Sequence, residues 1–147
     1  MWSQSQRQRL VAEKKILDKY FPSCNWIDPT NSSNTKIEVI LKTDMGNTYK
    51  LRVYVPSDFP NSRPDMIVLS PCPLKGFLGK NMIECGTSSD MHTLDPDTYG
   101  RTQICHYRNW RPELTLYKVV LKGRLWLEAL EAHKRTGKPI DRFLPHM

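Results

Sequence analysis

The sequence predicts an α+β domain built from an N-terminal helix, an antiparallel four-stranded meander, a long loop and a C-terminal helix. Three observations carry that prediction. Apolar residues recur at helical spacing near both ends of the chain, and between them the apolar period changes to two. The stretch from Pro71 to Arg101 has neither period and is rich in Pro and Gly.

Ser3 to Tyr20 reads as an amphipathic helix, with Ser3 or Ser5 as its cap. Leu10, Leu17, Tyr20 and Phe21 fall near one face, while Arg7, Arg9, Lys14, Lys15 and Lys19 make much of the rest basic. Phe21-Pro22 ends it. Trp26 and Ile27 suggest a short edge strand before the polar loop Thr30 to Asn34. Ile37, Val39 and Leu41 alternate with Lys36, Glu38 and Lys42, the pattern of a half-buried strand. Asp44-Met45-Gly46-Asn47 is a hairpin turn, and Tyr49, Leu51, Val53 and Val55 form the returning strand. Met66 to Leu69, bounded by Pro64 and Pro71, is the next strand. From Pro112 the period is helical again. Leu114, Tyr117, Leu121, Leu125, Trp126, Leu127 and Leu130 indicate a largely buried helix that stops near Gly137-Lys138-Pro139.

At 147 residues the chain is long enough for one domain with its own hydrophobic core, and residues 1–147 read as a single domain. No apolar run approaches the ~18–20 residues that cross a bilayer, so no membrane role is expected. Met1 to Arg9 lacks the apolar centre of a signal peptide, which points to an intracellular protein, cytoplasmic or nuclear. Cys24, Cys72, Cys85 and Cys105 contain no CxxC pair, and free thiols fit better than a zinc site or disulfides. A metal held by Cys85, His92, Cys105 and His106 is conceivable from composition alone, but no cofactor is expected. The net charge of +7 favours an acidic partner surface. The basic residues are spread along the chain and no RNA-binding motif is legible, which does not favour nucleic acid.

The most specific segment is Ile104-Cys105-His106-Tyr107-Arg108-Asn109-Trp110-Arg111-Pro112-Glu113-Leu114-Thr115. A cysteine closes a polar loop, and a Trp-x-Pro follows just before the apolar helix. Two further segments accompany it: Phe59-Pro60-Asn61-Ser62-Arg63-Pro64-Asp65-Met66, and the approach from Gly100 through Gln103 and Ile104 to Cys105. Together, in this order, they resemble the ubiquitin-conjugating enzymes across residues ~1–133. The resemblance implies the fold of that superfamily, in a divergent or minimal form. The family's His-Pro-Asn falls on His92-Thr93-Leu94, so its asparagine position carries Leu94. The family's last two helices have no counterpart in the sequence.

The resemblance implies a transferase. Cys105 would carry ubiquitin or a ubiquitin-like protein as a thioester and pass it to an amine or a thiol. A thiol suits both steps, because it is nucleophilic near neutral pH and its thioester stays reactive toward amines. Cations nearby favour the thiolate, and His106, Arg101 and Arg108 are candidates. The tetrahedral intermediate needs hydrogen-bond donors, for which backbone amides near Cys105, Asn109 or His92 are candidates. A loop-ordering hydrogen bond is the expected role of His92. Asp95 and Asp97 are candidates for orienting an incoming lysine. Arg7 and Lys14 lie on the helix face that the family shows its activating enzyme. Asn61 and Ser62, with Trp110 and Pro112, match the two loops shown to ligases. The rival expectation is a catalytically inactive variant of the same fold that binds ubiquitin or a partner.

Overall fold

A computed structural model of the chain describes residues 1–85 and 90–144, without the Cys85 side chain. Any role for Cys85 as a metal ligand or second reactive thiol lies outside the described residues. The architecture is α+β, with helix α1 (Gln4–Tyr20), strands β1 (Asn25–Ile27), β2 (Lys36–Lys42), β3 (Thr48–Tyr54), β4 (Asp65–Ser70), β5 (Thr93–Leu94) and β6 (Gln103–Ile104), and helix α2 (Leu116–Thr136). Among the described residues all strand pairings are antiparallel and the sheet order is β1-β2-β3-β4-β6-β5.

The first four strands are the meander the sequence predicts. Four strands is nevertheless a correction, because β5 and β6 lengthen the sheet to six. Each has two residues, too short for an alternation to show, so the loop from Pro71 read as aperiodic. Their pairing brings a loop cysteine to the end of a strand.

Ser3 caps α1 through a reciprocal box: its hydroxyl accepts from the Gln6 amide (3.1 Å) and its own amide donates to Gln6 Oε1 (3.0 Å). Leu10 and Leu17 are buried as expected, but Tyr20 is exposed and lies 4.7 Å, centroid to centroid, from the ring of Tyr117 on α2. Glu13, which helical spacing sets between Leu10 and Leu17 but whose charge favours the surface, is 1% exposed. Its Oε1 accepts from Arg9 Nε at 3.0 Å and its Oε2 from the Leu116 amide at 3.2 Å. A carboxylate at the first turn of α2 meets free N–H groups and the positive end of the helix dipole, which joins the two helices.

Helix α2 starts at the Thr115 cap, whose hydroxyl accepts from the Lys118 amide, and ends at Gly137 in the left-handed region (φ 76°). Trp126, Leu127 and Leu130 are fully buried. Leu125, expected on the buried face, is exposed. The helix comes so close to the sheet at Gly123 that a Cβ there would lie 2.5 Å from Leu51 Cδ1 and 2.7 Å from Met66 Sδ. Glu38, expected on the solvent face of β2, is also buried, and it binds Arg52 (2.6 Å) and Lys50 (3.1 Å) on the neighbouring strand.

Candidate thiol site at the end of strand six

Strand β6 sits between β4 and β5, with Ile104 opposite both Met66 and Thr93. Ile104 is 1% exposed, an anchor that a two-residue strand needs. Cys105 is the next residue. Its amide continues the ladder by donating to the His92 carbonyl at 2.8 Å. Its thiol is free and half-buried. The chain leaves through His106, which is 1% exposed, then turns at Tyr107 in the left-handed region (φ 41°) and surfaces at Arg108 and Asn109. A non-glycine residue at positive φ is uncommon, and here it marks the sharp turn out of the sheet.

Two loops flank this exit. The Trp110 indole N–H donates to the Pro60 carbonyl at 2.7 Å, and Arg63 Nη1 donates to the His106 carbonyl at 3.2 Å. The Tyr107 ring stands edge-on to Trp110, with centroids 6.3 Å apart, and Lys122 Nζ lies 5.1 Å from the Tyr107 centroid. The Phe59–Met66 segment and the Cys105–Thr115 segment, separate in sequence, are thus one surface.

The structure brings some of the predicted site residues together and not others. His92 meets Cys105 through its carbonyl, while its ring, 11% exposed, faces Asp141 at 2.7 Å. Asn109 is exposed and its side chain makes no hydrogen bond to a described residue. The Cys105 amide, bound to His92, is not free to serve an oxyanion. Asn61, Ser62, Trp110 and Pro112 lie on the two joined loops, where Ser62 is bound to Asp58 at 2.5 Å. Arg7 and Lys14 line a separate apolar groove of about 510 Å³ with Trp2, Leu10, Val11 and Trp26.

The electrostatics differ from the expected ones. Arg101 is committed to Asp97, Nε to Oδ2 at 2.7 Å. Asp97 in turn accepts from the Arg101 and Tyr99 amides. Burial alone would raise its pKa, but the Arg101 and Tyr99 bonds outweigh burial and hold the carboxyl below its usual range. This carboxylate anchors its own loop. His106 is no cation either: burial, then the charges of Arg63 and Lys122, push its pKa down to about 3. Arg63 and Lys122 place positive charge beside His106, and the predicted Arg108 is exposed three residues after the thiol. Cys24 contrasts with a surface thiol, because burial and then the Asp18 charge push it up to about 11.

Asp141 and Arg63 are the contributors that the sequence did not single out. Arg63 stands inside the Phe59 to Met66 segment, whereas Asp141 lies in a short stretch with no pattern. Among the described residues, no group of three or more His, Cys, Asp or Glu side chains is placed to hold a metal, and no helix is long and apolar enough to cross a membrane. The chain matches no family model and no curated protein.

Proposed function

We propose that this protein is a ubiquitin-conjugating-enzyme-like transferase that carries ubiquitin or a ubiquitin-like protein as a thioester on Cys105. The observation that supports this reading best is the placement of Cys105. A half-buried free thiol stands immediately after a buried strand residue, and the two loops that the resemblance marks are tied together beside it by Trp110 and Pro60. Thiolate attack on an activating enzyme's thioester carbonyl forms the new C–S bond and expels that enzyme's thiolate. An amine then attacks the Cys105 thioester. The C–S bond breaks, Cys105 leaves as thiolate, and the amine's proton passes to solvent. With the Cys105 amide occupied, the candidate donors for the developing oxyanion are the exposed Asn109 side chain and the backbone amides that follow Cys105, and a missing donor typically costs ~3 kcal/mol in the transition state. The basic face around Arg7 and Lys14, with its apolar groove, is the proposed docking surface for the activating enzyme, and the joined loops for a ligase.

One observation favours the rival reading, an inactive variant that binds ubiquitin or a partner. Leu94, at the family's asparagine position, is a strand residue paired with Gln103 and offers no side-chain amide. A charging assay separates the two. The protein is mixed with an activating enzyme, ATP and a panel of ubiquitin-like modifiers, and run on a non-reducing gel. A thiol-sensitive adduct that Cys105→Ala abolishes and Cys105→Ser converts to a thiol-resistant ester supports the transferase. Binding of a modifier without any adduct supports the inactive variant.

A further inference from the structure

The turn Asp90-Met91-His92, which precedes β5, is gripped at three consecutive carbonyls. The Asp90 carbonyl accepts from the Asp141 amide at 2.7 Å, the Met91 carbonyl from the Trp126 indole at 3.0 Å, and the His92 carbonyl from the Cys105 amide at 2.8 Å. These donors come from the C-terminal segment, from α2 and from the thiol segment itself. His92 is held with φ 50°, a conformation that costs a residue with a Cβ free energy and persists only where surroundings enforce it. Its ring supplies part of that enforcement, since Nε2 lies 2.7 Å from Asp141 Oδ1. Asp141 belongs to a one-turn 3-10 helix, Ile140–Arg142, anchored by the fully buried Ile140. The anchor therefore fixes Asp141, Asp141 fixes both ends of the turn, and the turn fixes the Cys105 amide.

We infer that Asp141 is a positioning residue for the thiol site, acting through His92, and that the C-terminal segment is a strap that sets the backbone from which Cys105 presents its thiol. The inference deepens the thioester reading and rests on it for its functional meaning, but its physical content is the coupling of Asp141 to Cys105. Side-chain exposure fits a device open to control: Asp141 is 47% exposed, so a partner or a cut in the tail can reach it, whereas His92 is covered.

The test uses the full chain in a Cys72→Ser background, because Cys72 is exposed and competes for reagent. Amide hydrogen exchange is followed by NMR, and alkylation of Cys105 by iodoacetamide is followed by peptide mass spectrometry. Asp141→Ala is expected to speed Cys105 amide exchange about tenfold and to change the Cys105 alkylation rate at least threefold. Leu51 and Val53, in the core of the sheet, should keep their exchange rates. Asp141→Asn keeps an oxygen that can accept from His92 Nε2, so it should stay within about twofold of the parent. In a His92→Asn background, Asp141→Ala should add little. Cys105 exchange within twofold of the parent in Asp141→Ala overturns the strap, as does equal loss in the Ala and Asn variants. Uniform acceleration at Leu51 and Val53 also overturns it, since that is global destabilisation. None of these readouts needs a modifier protein, so a failed charging assay speaks against the thioester alone.

Discussion

The Trp110 indole donates to the Pro60 carbonyl across 2.7 Å and fifty residues of sequence. That bond makes one surface of two loops. It also fixes the role of Trp110, whose ring packs partly buried against the core while its polar edge spans the gap. A Trp at such a position gives both apolar burial and a directed donor, which no other aromatic provides in the same shape.

Trp110→Phe should therefore keep most of the packing and lose the bridge. A hydrogen bond of this kind contributes about 1 kcal/mol net. The expected result is a loss of about that size in urea unfolding, with faster amide exchange confined to residues 61–63. Unchanged stability and exchange would show that the loops hold together without it.

The meander was legible because Ile37 to Leu41 and Tyr49 to Val55 alternate over enough residues for one face to declare itself. The helices were legible from caps and stops, Ser3 and Gly137. What stayed hidden has a common physical cause. Glu13 and Glu38 are charged residues buried because partners from elsewhere satisfy them, and local pattern cannot name a distant partner. The strands β5 and β6 owe their existence to neighbours rather than to their own four residues. The thiol site divides the same way. Cys105 and Trp110 stand in a dense local motif, while Asp141 reaches His92 only through the fold.

Gly123 is a case where tertiary contact decides against local preference. At an open helix position Gly→Ala gains about 1 kcal/mol. Here the added methyl meets Leu51 and Met66 well inside contact distance, and overpacking of this kind costs about 1–3 kcal/mol. Gly123→Ala is expected to lower stability by about 1 kcal/mol in denaturant unfolding. A gain of the open-helix size would mean that the two side chains move aside at no cost.

His106 makes the sharpest pH prediction. Its ring is buried, and neither nitrogen has a hydrogen-bond partner among the described residues. Burial first, and then Arg63 and Lys122, lower its pKa from 6.5 to about 3, so the folded ring stays neutral while the unfolded one takes a proton. The unfolded state then binds more protons between those two values. Stability is whole above about pH 6.5 and falls as the pH drops toward 3, at about 1.4 kcal/mol per pH unit well inside the window. Between pH 7.5 and pH 5 this amounts to about 2 kcal/mol. His106→Leu removes the titration and the two unpaired nitrogens together, so it should be no less stable than the parent at pH 7.5 and should lose about 2 kcal/mol less on going to pH 5. Carboxylates elsewhere titrate in both proteins, so the difference between the two urea curves isolates the ring. Parallel losses in parent and variant would mean that His106 is protonated in the folded protein, and the residue beside Cys105 would then be a cation after all.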